Sequence, residues 1–165
     1  MQELPPPQSI PAAWFGPEVS DRTDLWLSHL DADDVAELEA AAKECLNQGL
    51  EIADITARNF VLPDFGPRLV EFQAELLRGI GFGLLRGLPV AGYDRELAAA
   101  IFFGVGAHLG HARSQNGEGH LLGHVRDVGA NSGDMNVRIY QTSERQSFHT
   151  DSCDIVALLC LKEAI

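Results

Sequence analysis

Near residue 110 the spacing of apolar side chains changes, and that change limits the folds open to this chain. Before it, apolar residues recur every three or four positions, the period of a helix with one buried face. After it, they come in short runs cut by Gly, Asn, Ser and Asp, the pattern of strands and turns. From Asp33 to Gly49, Val35, Leu38, Ala42, Cys45 and Leu46 fall on one helical face. Asp31, Asp33 and Asp34 supply negative charge at its start, and Gly49 suits its C′ position. "DITARNFVLPDF" reads as a turn and an extended segment. A second helix is expected over Pro67 to Arg78, ending at Gly79, with Leu69, Phe72, Leu76 and Leu77 on its buried face. A third is expected over Asp94 to Leu109, with Leu97, Ile101 and Val105 as its stripe. Between these two, "GFGLLRGLPV" reads as a strand. Beyond residue 110, "LLGHVRDV", "NVRIYQT" and "CDIVALLCL" read as further strands. Helices and one strand first, then strands, predict an α+β fold whose sheet core begins late in the chain.

The length of 165 residues suits one domain with its own core, and 45% hydrophobic residues is ordinary globular composition. A formal charge of -12 repels phosphate backbones and anionic lipid, so nucleic acid and membrane surfaces are excluded as partners. Residues 1–32 form a Pro-rich N-terminal arm, which Trp14, Phe15, Trp26 and Leu27 could anchor to an apolar surface. The domain proper is read as 33–165. The opening "MQELPPPQSIPAAW" resembles neither a signal peptide nor a membrane span, and no stretch reaches the roughly 18 apolar residues a span requires. Three cysteines, Cys45, Cys153 and Cys160, form no CxxC, which fits a cytoplasmic protein without disulfides. Cys153 and Cys160 read as small hydrophobes of an apolar run.

One triplet stands apart chemically. In "SFHTDSCDIVALLCL", His149 and Asp151 lie two positions apart. On a strand, residues i and i+2 share a face, so imidazole and carboxylate would converge while Thr150 faces away. A nitrogen and an oxygen so placed suit Fe(II) or a similar divalent ion. The triplet alone is common. On spacing alone it fits a structural reading better, in which Asp151 caps a turn and His149 bonds to backbone.

Several motifs recur in one order: "GFGLLRGLPV" (81–90), "GAHLG" (106–110), "SQNGEGHLLGHVRD" (114–127), "VRIYQT" (137–142) and "FHTDSCDIVALLCLKEA" (148–164). In these the chain resembles the TauD/TfdA-like Fe(II)- and 2-oxoglutarate-dependent dioxygenases, including clavaminate synthase-like members. The resemblance implies an incomplete double-stranded β-helix, a jelly-roll variant, with N-terminal helices packed outside. It implies that His149 and Asp151 are the first two ligands of a 2-His-1-carboxylate triad on Fe(II). It further implies 2-oxoglutarate as cosubstrate, O₂, and oxidation of a small organic substrate. The family's distal histidine and 2-oxoglutarate-binding arginine lie far beyond H-x-D, and the 14 residues after Asp151 contain no match for either. The expectation is therefore the N-terminal part of such a domain, truncated before the distal ligands and of low activity by itself. The alternative is a non-catalytic relic or interaction module of the same fold. Unpaired late strands would favour self-association or a complementing chain.

Other residues carry weaker signals. His108, His111, His120 and His124 have spacings that zinc could use, but no cysteine is near, and His108 and His111 fall at a helix end, where histidine is favoured. One of them could line a substrate pocket instead. Gln115 and Asn116 sit in the turn-rich "SQNGEG" and fit turn chemistry better than substrate binding. Arg126 and Asp127 read as structural. Arg138, Tyr140 or Gln141 could face a pocket from an alternating strand, with the inward face left open. A hydrolase triad of Ser147, His149 and Asp151 is disfavoured, since one strand cannot arrange it and no G-x-S-x-G occurs.

Overall fold

The computed structural model describes residues 6, 8–129, 133, 142–145 and 147–162. They fall into two compact units, Met1–His111 with Ala157–Ile165, and Ala112–Val156. In the first unit, a short helix α1 (Gly16–Val19) and a 3₁₀ turn (Thr23–Leu25) lead into strand β1 (Leu27–His29). Helices α2 (Ala32–Asn47) and α3 (Phe65–Arg78) follow, joined through a 3₁₀ turn at Ile52–Asp54. Strand β2 (Leu84–Arg86), a 3₁₀ turn (Val90–Gly92) and helix α4 (Arg95–Leu109) complete the regular elements.

The ends of α2 follow from its sequence. Asp31 Oδ1 accepts the N–H groups of Asp33 and Asp34, and Asp34 Oδ2 accepts from Asp31 N–H, a reciprocal cap that satisfies donors the first turn leaves open. At the other end Gly49 takes φ of +74°. Its N–H bonds to Leu46 O, and Leu50 N–H bonds to Cys45 O, the pair of bonds that closes a helix through a left-handed residue.

Helix α3 starts two residues before the expected Pro67, and α2 is the reason. Glu37 receives Asp64 N–H at 2.9 Å and Phe65 N–H at 2.8 Å. A carboxylate from one helix thus caps the positive end of the next. Beside it Arg68 bonds to Asp34 at 2.5 Å and lies 5.0 Å over the Phe65 ring. Asp34 is 7% exposed, so this pair latches α2 to α3 where water is scarce. Of the face expected for α3, Leu69 is buried and Phe72 and Leu76 are half-buried. Leu77 is 46% exposed, contrary to expectation. It is the neighbour of Leu76 and is rotated about 100° from it around the axis.

Helix α4 packs against α2, α3 and the 3₁₀ turn after α2. Ala98, Ala100, Ile101, Phe103, Gly104 and Leu109 are buried, a wider face than the single expected stripe. Leu97 and Val105 are half-buried at its margin. Asp94, just before the helix, caps its start, and its carboxylate accepts Leu97 N–H at 2.8 Å. Gly104 permits its closest approach. A Cβ there would lie 2.4 Å from the fully buried ring of Phe60. Between α2 and the turn before α4, Tyr93 donates to Glu39 at 2.8 Å, and Lys43 pairs with the same carboxylate. Burial, and then the hydrogen bond to Glu39, push the Tyr93 hydroxyl up to about 12. Cys45 is buried and donates to Asn59 O, and burial raises its thiol above the ordinary value.

Residues 16–29, read as part of the Pro-rich N-terminal arm, hold α1, a 3₁₀ turn and β1. β1 pairs in parallel with β2, Leu27 opposite Leu84 and His29 opposite Arg86. The expected strand in "GFGLLRGLPV" is thus present but three residues long. Trp14 and Trp26 do anchor this region, with ring centroids 5.0 and 5.9 Å from Phe82. Their indole N–H groups donate to Ile80 O and Val19 O. Phe15 does not share the anchor and is 74% exposed.

Among the described residues the later strands are not observed. "LLGHVRDV" and "CDIVALLCL" are bends and irregular backbone, while "NVRIYQT" lies outside the described residues apart from Thr142. A strand requires a neighbour to take its backbone hydrogen bonds, and among the described residues none runs beside these segments. In consequence Val125, Val156 and Leu158 are 69%, 54% and 81% exposed. Cys153 and Cys160, expected as small hydrophobes, are exposed too. The observed architecture is therefore helices plus one small parallel sheet, the coarse form of the α+β expectation. Among the described residues no helix is long and apolar enough to cross a membrane.

Candidate functional site

The H-x-D triplet lies on irregular backbone within the unit Ala112–Val156, not on the strand that its spacing suggests. Its two side chains are nonetheless neighbours. His149 Nε2 lies 3.9 Å from Asp151 Oδ2, and each side chain is about half exposed, at 49% and 52%. That separation is too long for a hydrogen bond. The other ring nitrogen, Nδ1, lies 3.0 Å from the Ser147 carbonyl oxygen. A carbonyl can only accept, so Nδ1 carries the proton and neutral His149 has its lone pair on Nε2, the atom facing the carboxylate.

That is the donor arrangement a divalent metal uses. Ligating histidines commonly donate their second ring N–H to a carbonyl, which sets tautomer and ring orientation. Two neighbouring ligands, each about 2.1 Å from a first-row ion, stand about 3.0 Å apart in octahedral geometry. The observed 3.9 Å closes to that by roughly one ångström of side-chain rotation. Nitrogen and oxygen donors fit iron(II) in kind, but not yet in number. Among the described residues no third His, Cys, Asp or Glu joins them.

The remaining candidates divide between scaffold and cleft. His108 is held in α4 by a 2.8 Å contact from Nε2 to Phe60 O, edge-on to the Phe60 ring, so it serves the helical core. His111 is exposed. Asn116 organises the loop Ser114–His120. Its Oδ1 accepts the N–H groups of Glu118 and His120, each at 3.1 Å, which is the turn chemistry expected of it. Gln115 Nε2 donates to Arg113 O at 2.8 Å. His120, His124 and Arg126 line a small cleft with these two amides. Arg126 was expected to be structural; its place in a His- and Gly-rich stretch of an acidic chain was the signal available for the cleft. Arg138, Tyr140 and Gln141 lie outside the described residues.

Comparison with known proteins places these observations in a family. The profile of the "Taurine catabolism dioxygenase TauD, TfdA family" matches residues 15–164. FR-33289 synthase of Streptomyces rubellomurinus is 35% identical over 156 residues, covering 93% of this chain and 45% of that protein. Taurine hydroxylase-like protein SAT17 of Stachybotrys chartarum is 30% identical over 159 residues, covering 92% of this chain and 41% of that protein. The chain therefore spans less than half the length of these relatives. The resemblance seen from residue 81 onward is borne out, and the match also takes in β1, α2 and α3, where no motif had been recognised. With H-x-D inside the matched span, the chain belongs to the TauD/TfdA family of dioxygenases.

Proposed function

We propose that this chain supplies His149 and Asp151 to an iron(II) centre of a 2-oxoglutarate-dependent oxygenase. Its reaction is hydroxylation, or a related oxidation, of a small organic molecule. The observation that carries the reading is the pairing of His149 Nε2 with Asp151 Oδ2 at 3.9 Å, with Nδ1 held by the Ser147 carbonyl. When bound, iron(II) with 2-oxoglutarate and O₂ supplies the oxidising power, and 2-oxoglutarate leaves as succinate and CO₂. The chain's own part is to bind and orient. Ser147 O fixes the imidazole tautomer, His149 gives a neutral nitrogen and Asp151 a charge-balancing oxygen. The double-stranded β-helix belongs to this proposal, as the architecture that would bring a further histidine and an arginine to the pair.

A second reading has its own support. Among the described residues beyond Leu109 none is buried, and Val125, Val156 and Leu158 face solvent. A surface of this kind suits a non-catalytic module, or a chain completed by another polypeptide. One experiment separates the two. The chain is loaded anaerobically with Fe(II), iron retention is measured, and succinate is assayed after 2-oxoglutarate and air are added. Under the iron-centre reading, His149→Ala or Asp151→Ala weakens iron retention by on the order of tenfold or more. Equal retention by both variants and the parent, with no succinate from any, would leave the module reading standing.

A further inference from the structure

The acidic character of the chain is not uniform. Acidic residues outnumber basic ones 24 to 12. Yet within the unit Ala112–Val156 a cleft of about 180 Å³ has no carboxylate among the described residues that line it. Its polar wall consists of Gln115, Asn116, His120, His124 and Arg126, and Leu122 adds apolar surface. We infer that this cleft binds a small organic or inorganic oxyanion through Arg126, His124 and His120.

The hydrogen bonds around the cleft set which atoms are offered. Asn116 Oδ1 is occupied by two backbone N–H groups, so its Nδ2 is the atom turned to His120 Nδ1, at 2.8 Å. An amide nitrogen only donates, so Nδ1 accepts and the neutral ring carries its proton on Nε2. His120 is thereby a donor at Nε2. Glu118 stands 3.6 Å from Nδ1, on the other ring nitrogen and beyond hydrogen-bond reach. Arg126 forms no ion pair or hydrogen bond with any described residue, which leaves its planar fork of donors for an external acceptor. One Gln115 N–H is already committed to Arg113 O, so that amide contributes less. The volume lies below the roughly 300–1,000 Å³ of drug-sized pockets, which limits the ligand to a few heavy atoms around the charged head. The inference does not depend on iron or on the oxygenase reading, since none of these residues belongs to the H-x-D pair.

The test is an amide NMR titration of the metal-free full chain with sodium sulfate, sodium phosphate and sodium acetate. Ionic strength is held constant with chloride, and tetramethylammonium chloride serves as the cation arm. At least one oxyanion is expected to give saturable shifts in residues 115–126, half-complete at about 10 mM or below, as a single charge-assisted fork allows. The oxyanion that binds tightest identifies the head group. Arg126→Gln should weaken binding about fivefold or more, whereas Arg113→Gln, outside the cleft lining, should change it less than about twofold. His124→Gln is a second variant, expected to weaken binding if Arg126→Gln alters the fold. Linear shifts with no saturation, shifts that chloride reproduces, preference for tetramethylammonium, or equal affinity in both cleft variants and the parent would each overturn the inference.

Discussion

Replacing Gly104 with alanine tests the packing of the helical core against a control two residues away. Both Gly104 and Gly106 lie inside α4. On helix propensity alone, Gly→Ala at either position stabilises by about 1 kcal/mol. At Gly106 nothing lies within 4 Å of an added Cβ, so that gain is realised. At Gly104 the new Cβ would stand 2.4 Å from Cδ2 and Cε2 of Phe60, where ordinary contacts begin at 3.4 Å. One side must move by about an ångström. Phe60 has no exposed surface into which to move, and its carbonyl is bonded to His108. Overpacking of this kind costs roughly 1–3 kcal/mol, and a closed site belongs at the upper end. The net expectation is about 2 kcal/mol of destabilisation for Gly104→Ala and about 1 kcal/mol of stabilisation for Gly106→Ala. The gap of about 3 kcal/mol corresponds to roughly 6–12 °C between the two melting midpoints for a chain of this size. Circular dichroism at helix wavelengths reads the transition. Phe60→Leu should recover part of the Gly104→Ala loss in a double-mutant cycle, because it removes the ring edge that the methyl group meets. If Gly104→Ala melts at or above Gly106→Ala, Phe60 is not packed against α4 as described.

Arg68→Ala should destabilise by about 1–3 kcal/mol, since it strands the Asp34 carboxylate in a site 7% exposed; the half-exposed arginine keeps the cost below that of a fully buried pair. The double variant with Asp34→Ala should recover part of that loss in denaturant midpoints, and simple additivity would argue against the latch. Tyr93 provides an alkaline signature. Its hydroxyl titrates at about 12 in the folded chain against an ordinary 10, so the folded state keeps the proton longer. Its stabilising contribution is complete below pH 10 and disappears between pH 10 and 12. Tyr93→Phe should therefore flatten the fall in stability across that window, and an unchanged slope would refute the assignment. In hydrogen exchange, amides of α2, α3 and α4 should be the slowest, while those of 153–161, none of them buried or in a strand, exchange at nearly unprotected rates. Strong protection across 153–161 would mean that a neighbour covers them.

The helices were legible because a helix is largely a local structure. Asp31, Asp94 and Gly49 cap from within their own segments, and three- and four-residue spacing locates Leu38, Leu69 and Ile101 in the core. What the sequence did not reveal came from partners distant along the chain. Glu37 starts α3 early from a position 27 residues before Asp64. β1 is three residues long, too short for alternation to register, and exists because Leu84–Arg86 runs beside it. Arg126 looked structural, since its His- and Gly-rich surroundings hint at a site without showing which side chains close a cleft. His149 and Asp151 were legible as residue types whose spacing holds them together, although the strand meant to explain that spacing is not formed.

The same distinction bears on the chemistry. Two residues separated by one other cannot lie far apart, so the approach of His149 to Asp151 survives on irregular backbone. A third ligand has no such guarantee, because sheet pairing must carry it to the site from elsewhere in the chain or from another chain. Metal affinity rises steeply with the number of ligands held in place, and ligands ordered only on binding must first be immobilised from the metal's own binding energy. Iron binding and ordering of the apolar run that follows Asp151 are therefore coupled in the proposed centre. Whatever packs against Val156 and Leu158 strengthens the metal site without touching the metal, and iron in turn favours the packed arrangement by the same free energy.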